Sequence, residues 1–350
     1  MPKISVLLPV RNAQPFLSEA IQSIQNQSFK NFEVMLLYSP SRDGSRALLE
    51  SMAAQDRRLI FTEVKGGNLA ACLNEGWQGA RGEFIARMDA DDVAHPERFA
   101  RQMAAFAGRP ALGLLGGAVR YIDAAGRKGR TVRQPQGGDI ERAFYWGCPF
   151  THSSVMMRRA LWEKCGGYRE LFAQAEDYDL WLRLHALTEM DNLPQTLLYY
   201  RLHPGNSVRL NALAGRRYAF FAQASWLARR HGLADPLEGR TSLPDPVSLP
   251  LAEAEMNALC GRVLAGSAHL LGDALDDPEG GLWWPRLKAI SNRGEGRKCA
   301  ALCRLRWSRF YARRDKRRCL SHAWAALRTS PALAVACGCR IIGQMFNHDG

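Results

Sequence analysis

Short, continuous apolar runs separated by stretches of helical spacing constrain this chain more than any other feature. Residues 4–8, 32–37, 59–64 and 84–88 are apolar along most of their length, the pattern of strands buried on both faces of a parallel sheet. Between them, 15–27, 44–55 and 68–80 read as helices. Pro15 sits in a first turn, Leu48, Leu49 and Met52 share a face, and Gly82 follows the third. The order β-α-β-α-β-α-β predicts an α/β fold: a doubly wound, mostly parallel sheet with right-handed crossovers. Ligands of such sheets bind beyond the carboxyl ends of the strands. Pro9, Val10, Arg11 and Asn12 fall there after the first strand, and Asp89, Ala90, Asp91 and Asp92 after the fourth.

Further along, 96–106 reads as a helix, 113–122 as a strand, 178–187 as a helix and 211–231 as a long helix closed by Gly232. The sequence predicts a catalytic domain over 1–209, a connecting helix over 210–235, a linker over 236–251 marked by Pro236, Pro244, Pro246 and Pro250, and a basic helical C-terminal region over 252–350.

Length and composition exclude several classes. A chain of 350 residues with 47% hydrophobic and 23% charged residues is neither a stapled miniprotein nor disordered in bulk. Nine cysteines without a CxxC pair argue against a disulfide framework or a zinc ribbon, so reduced thiols are expected. No apolar run reaches the length of a membrane span, and Met1 leads into the first strand without a secretory signal, so a cytoplasmic chain is expected. The net charge of +13 is local: residues 286–340 hold 15 Lys and Arg against Glu295 and Asp315, and the rest of the chain is neutral. On a helix, Trp307, Phe310 and Tyr311 share a face flanked by arginines. Two readings stand side by side, an interfacial helix on an anionic membrane surface and an aromatic stripe packed on the chain itself. Nucleic acid is disfavoured, because the aromatics do not spread into an open stacking platform.

The acids at 89, 91 and 92 carry the chemistry. In extended backbone, residues two apart point the same way, so Asp89 and Asp91 converge on one site suited to an oxygen-seeking cation such as Mg²⁺ or Mn²⁺. The competing reading is a helix N-cap by Asp91 or Asp92 ahead of Pro96 and Glu97. A cap needs one acid, and three are present.

The run from Gly82 to Asp92, followed by His95-Pro-Glu-Arg98 and Gln102, resembles the signature of family 2 glycosyltransferases of the GT-A fold. So do the segments from Ile4 to Asn12, His152 to Arg158, Gly166 to Tyr168, Ala175 to Arg183 and Tyr200 to His203, in that order. The resemblance spans about residues 3–209 and implies inverting transfer of a sugar from a nucleotide-diphosphate sugar to a hydroxyl of a glycan or lipid-linked acceptor. It implies the setting of cell-surface polysaccharide synthesis, in the cytoplasm or peripherally on the inner face of the plasma membrane.

On the same resemblance, Asp91 is a direct metal ligand, Asp89 holds the ribose or supports the metal, and His203 lies near the diphosphate or its metal. Asp177 is the base that takes the acceptor's proton, with capping of the following helix as its structural alternative. Pro9, Val10, Arg11, Asn12, Asp43, Asn68, Arg87, Asp89, Ala90 and Asp91 are expected on the donor side, and His152, Glu176 and Trp181 on the acceptor side, with Arg158 a further candidate.

Two departures bear on the donor. Tyr38-Ser39-Pro40-Ser41 stands where the family carries an acidic stretch, with only Asp43-Gly44-Ser45 kept, and Arg11 replaces a frequent aromatic. A UDP-sugar remains the default donor. A nucleotidyltransferase would use a glycine-rich loop that Pro9 to Gln14 lacks, and a catalytically silent relative would not need acids at 89, 91 and 177.

Overall fold

The computed structural model describes residues 1–206, 211–252, 254–256, 259, 260, 262 and 263. The chain forms two compact units, Met1–Leu210 and Asn211–Gly350.

The first unit is α/β. Its strands are β1 (Ile4–Val10), β2 (Phe32–Tyr38), β3 (Leu59–Glu63), β4 (Phe84–Arg87), β5 (Val93–Ala94), β6 (Leu112–Asp123), β7 (Lys128–Val132), β8 (Met156–Arg158) and β9 (Glu189–Leu202). The helices are α1 (Gln14–Gln25), α2 (Ser45–Gln55), α3 (Leu69–Gly79), α4 (Arg98–Gly108), α5 (Asp139–Phe144), α6 (Arg159–Cys165) and α7 (Glu176–Leu184). One sheet runs β3-β2-β1-β4-β8-β6-β9-β5, with β7 paired to β6. β1 to β4 form the parallel half that the apolar runs predict, β2 and β4 flanking β1 in register from Ile4. β8 then inserts antiparallel between β4 and β6, so β6 and its parallel partner β9 resume the direction of the first four strands.

Burial follows the helical period. α1 turns Leu17, Ala20, Ile21 and Ile24 inward, and α4 turns Phe99, Gln102 and Phe106 inward. Gly82 is required by close approach: a Cβ there would meet Ser5 N at 2.4 Å, where the chain enters β4 beside β1. The parallel register then runs to Leu7 opposite Arg87 and brings the carboxyl ends of β1 and β4 side by side. That is where the acids sit.

No strand is read from sequence within 151–209, and the reason is visible. β8 is three residues long, and the first half of β9 is broken by Asp191, Asn192, Pro194 and Gln195.

In the second unit, α8 (Ala212–Arg230) buries Phe220 to Ala228 almost without interruption, and Asp235 accepts from Ser225 Oγ at 2.7 Å. The Pro-rich stretch holds a short 3-10 turn, Pro246–Ser248, and buried Leu237 and Leu249. The basic segment 286–340, its Trp307 helix, and Trp283, Trp284 and Trp324 lie outside the described residues. No helix among the described residues is long and apolar enough to cross a membrane.

Candidate active site

A cleft of about 1230 Å³ opens at the carboxyl ends of β1 and β4. Pro9, Val10, Arg11, Asn68, Arg87, Asp89, Asp91, His152, Glu176, Asp177 and His203 all line it. The structure thus gathers, from six separate segments, most of the residues named from sequence.

The acidic loop follows β4 directly. Ligand oxygens of Asp89, Asp91 and Asp92 lie within 4.8 Å of one another. Asp92 is fully buried and accepts from Arg201 N at 2.9 Å, while its second oxygen has no hydrogen-bond partner among the described residues. The N-cap of α4 is Glu97, with no side-chain cap, and β5 intervenes, so the acids do not cap that helix. Burial first, and then the charges of its neighbours, push the Asp91 carboxyl above its ordinary range and Asp92 well above it. A divalent cation would relieve this repulsion, and three converging carboxylates are the oxygen donor set such a cation prefers.

Buried arginines brace this loop. Arg98 donates to Arg87 O at 2.8 Å and to Val155 O at 3.1 Å, and Gln102 donates to Leu115 O and Ser154 O. Arg201 donates through Nε to Asp91 O at 2.8 Å, through Nη1 to Asp123 O and Ala124 O, and through Nη2 to Glu19 at 2.5 Å. Arg201 went unassigned in the sequence reading, although it lies inside the Tyr200 to His203 motif. Its fully buried side chain ties β9, α1, the end of β6 and the acidic loop together. Arg87, also buried, ion-pairs with Asp89, which holds it protonated against the effect of burial.

His203 Nε2 lies 2.9 Å from Asp91 Oδ2, and Gly205 N donates to its Nδ1 at 3.2 Å. Nδ1 being an acceptor, the proton resides on Nε2, which donates to Asp91. In this arrangement His203 orients Asp91. Direct ligation through Nε2 would need the other tautomer and the loss of the Gly205 bond.

Across the cleft, α7 begins at Ala175, whose left-handed φ of 58° is strained for a residue with a Cβ. That turn presents Glu176 and Asp177 to the cleft. Asp177 Oδ1 accepts from Tyr178 N at 2.7 Å, and Oδ2 lies 3.8 Å from Cys148 Sγ. Burial raises the Asp177 carboxyl above its ordinary range despite the nearby helix N-terminus. Burial and then Asp177 push Glu176 up to about 8. His152 Nδ1 approaches Glu176 at 3.6 Å, while its Nε2 meets Tyr168 OH at 2.7 Å. Burial, helped by Arg87, keeps His152 neutral. The His152–Glu176 approach is therefore a contact between neutral groups, not an ion pair.

Several expected site residues serve the scaffold instead. Trp181 is fully buried, edge-on to His152 and Phe150, so it supports His152 and cannot touch an acceptor. Ala90 belongs to the core. Asp43 is spent on the loop between β2 and α2. Burial opposes its charge, but bonds from Gln14 N, Ser45 and Ser41 bring it down to about 2. Asn12 is exposed in a left-handed turn with φ 52° and lies outside the cleft lining. Arg158 donates to Leu112 O and stacks over Phe84 and Phe106, at the far end of β4 from the acids. Asn68 does both tasks, capping α3 through Ala71 N while lining the cleft. Cys148 had no sequence signal, being a single cysteine in a Trp-Gly-Cys-Pro stretch.

The profile of Glycosyl transferase family 2 matches residues 5–166. The amylovoran biosynthesis glycosyltransferase AmsE of Erwinia amylovora is 31% identical over 202 residues, 56% of this chain and 75% of AmsE. The crystal structure of S. aureus TarS 1-349 in complex with UDP-GlcNAc superposes with a TM-score of 0.59 at 17% identity, over 91% of this chain and 89% of that one. The mannosyltransferase PcManGT from Pyrobaculum calidifontis, in complex with GDP-Man and Mn²⁺, gives a TM-score of 0.50 at 18% identity, over 86% and 84%.

Stability should report the buried proton on Glu176. Its folded-state value of about 8 exceeds its ordinary 4.5, so the folded chain keeps a proton that the unfolded chain releases, and stability falls as pH rises between the two. Asp91, Asp92 and Asp177, also raised by burial, act in the same sense as Glu176, whereas His152 and His95, held below their ordinary 6.5, act in the opposite sense, but only below that value. The melting midpoint in metal-free buffer should therefore drop between pH 6.5 and 8, and Glu176→Gln should make the drop shallower. An unchanged pH profile in the variant contradicts this assignment.

A curated relative covered over three quarters of its length, a matching family profile and a shared fold converge with the acid-lined cleft on one conclusion: this chain belongs to glycosyl transferase family 2 and is a glycosyltransferase.

Proposed function

We propose that residues 1–209 carry out inverting, divalent-metal-assisted transfer of a sugar from a nucleoside-diphosphate sugar to a hydroxyl of a glycan or lipid-linked acceptor, in the synthesis of a cell-surface polysaccharide. The observation that carries this reading is Asp177, a carboxylate whose proton affinity burial raises, lining the same cleft as Asp89 and Asp91. AmsE, named for amylovoran biosynthesis, supports the polysaccharide setting, and the ligands of TarS and PcManGT support a nucleotide-sugar donor.

Asp91 and Asp89 are the residues that would hold Mn²⁺ or Mg²⁺, whose chemistry there is neutralisation of charge on the leaving diphosphate. His203 and Arg201 fix the Asp91 side chain and carbonyl. Ser39 lines the cleft from the stretch where the family's acid is missing, so a hydroxyl replaces a carboxylate among the groups facing the nucleotide, and a UDP-sugar stays the default donor.

Inversion is one in-line displacement. The acceptor oxygen bonds to the anomeric carbon as the bond from that carbon to the diphosphate oxygen breaks, and the electron pair leaves with the nucleoside diphosphate. Asp177 Oδ2 takes the acceptor's proton, since Oδ1 is engaged by Tyr178 N. Its raised proton affinity makes it a better acceptor of that proton than an exposed aspartate. Glu176, protonated beside it, offers an O–H to a neutral sugar without adding charge.

Asp177→Asn keeps the shape and the Tyr178 bond but cannot accept a proton. Turnover with a UDP-sugar should fall by a factor on the order of 10² or more, while calorimetric affinity for UDP stays within about twofold. Loss of UDP affinity together with rate would place Asp177 in the donor site. The basic segment 286–340 supports a second element of the proposal, attachment to an anionic membrane surface. Co-sedimentation with phosphatidylglycerol vesicles should exceed that with phosphatidylcholine and weaken as salt rises; equal binding to both contradicts it.

A further inference from the structure

Among the described residues, the exposed large apolar side chains are Met1, Trp146, Leu187, Leu202 and Leu233, so Trp146, 55% exposed, is the one exposed aromatic in that set. Its position is not that of a loose loop. Tyr145 caps α5, and Trp146 N and Gly147 N both donate to Ala143 O, at 2.8 and 3.0 Å. The chain then passes through Cys148 to buried Pro149, whose carbonyl accepts from Asn192 Nδ2 at 3.1 Å.

Two links hold this turn against the base. Cys148 Sγ lies 3.8 Å from Asp177 Oδ2 and 3.3 Å from Phe150 O. On the other side, Tyr178 OH, from the residue after Asp177, donates to Phe144 O, and the Phe144 ring packs against Tyr178 at 6.1 Å and His185 at 5.3 Å. Trp146 is two residues from each anchor, so its Cα lies within about 7.6 Å of the Cα of Cys148, the reach of two trans peptide units. Cys148 lines the cleft and Trp146 does not. An acceptor hydroxyl presented to Asp177 Oδ2 belongs to a molecule whose remainder must leave the cleft, and this turn is anchored next to that oxygen through Cys148.

Resting on the glycosyltransferase reading, we propose that Trp146 is an acceptor subsite: its indole stacks against a pyranose ring of a glycan acceptor as that ring emerges past Cys148. An aromatic face binds the apolar C–H side of a sugar while leaving its hydroxyls in water, which suits an exposed ring on fixed backbone. A bilayer anchor is the competing use of an exposed Trp. α5 gives such a surface no cationic face, since its one basic residue, Arg142, is ion-paired with Asp139 and Glu141 adds a negative charge. The occupant is therefore an uncharged carbohydrate ring, and Trp146 selects acceptors with a C–H face free of axial hydroxyls.

The test uses the full chain with UDP and Mn²⁺ and, as probes, methyl glycosides of glucose, galactose, mannose and N-acetylglucosamine at millimolar concentration. Saturation-transfer NMR should show at least one glycoside receiving magnetisation through ring C–H protons in the wild type, a loss of about fivefold or more in Trp146→Ala, and recovery in Trp146→Phe. UDP affinity by calorimetry should be the same in all three proteins. Equal transfer to glycosides in Trp146→Ala, or none in the wild type, overturns the subsite. Loss of phosphatidylglycerol-vesicle binding in Trp146→Ala with glycoside signals intact assigns the ring to a membrane instead and also overturns it. Failure of UDP to bind the wild type counts against the parent reading, and glycoside signals that still depend on Trp146 would then leave a carbohydrate site standing without it.

Discussion

Crowding of carboxylates in a desolvated cleft is the constraint on which the rest of this structure depends. Asp89, Asp91 and Asp92 come from the end of β4, and Glu176 and Asp177 from the start of α7. Water would normally separate such charges, but burial raises the proton affinity of Asp91, Asp92, Glu176 and Asp177 together. Such an arrangement survives only where the surrounding chain fixes it. Arg87, Arg98 and Arg201 supply that rigidity, each buried and each bound to main-chain or acidic partners around the loop. The same crowding divides the labour. In the proposed reaction one acid cluster serves the cation and the other serves proton transfer.

The parallel half of the sheet was legible because strands buried on both faces are continuous apolar runs, and β1, β2, β3 and β4 appear where those runs predict. β8 and β9 were not legible. Three residues carry no periodicity, and a strand with Asp191 and Asn192 on it satisfies those side chains through tertiary partners, Arg109 and the carbonyls of Pro135 and Pro149, that no local window contains. The site shows the same division. Asp89, Asp91, Asp177 and His203 were found as motif residues and meet in one cleft. Trp181, Ala90 and Asp43 shared those motifs but are absorbed by the core or by a loop, because a motif records which residues travel together and not which of them face the ligand. Arg201 and Cys148 show the converse, since their importance lies in contacts across 110 and 29 positions of sequence.

Ala175 illustrates how the fold directs a site. A left-handed residue before the first turn of α7 costs about 1–2 kcal/mol, yet it turns Glu176 and Asp177 toward the acids of β4 and lets Asp179 pair with Arg183 in the interior. Arg183 in turn holds the carbonyls of Cys165 and Gly167 at 2.6 Å, fixing the Gly166–Gly167 turn whose φ values of 74° and 72° suit glycine. The chemistry of α7 and the shape of the adjoining wall are thus set by one short network.

The central claim is that the triad at the end of β4 is electrostatically incomplete without a divalent cation, and that a diphosphate and the cation enter together. Calorimetric titration of UDP into the full chain, once with Mn²⁺ and once with chelator, tests this directly. The account predicts binding at least about tenfold tighter with Mn²⁺, a difference of about 1.4 kcal/mol, and loss of that difference in Asp91→Asn with the chelator value unchanged. UDP bound equally tightly in chelator and in Mn²⁺ would contradict it.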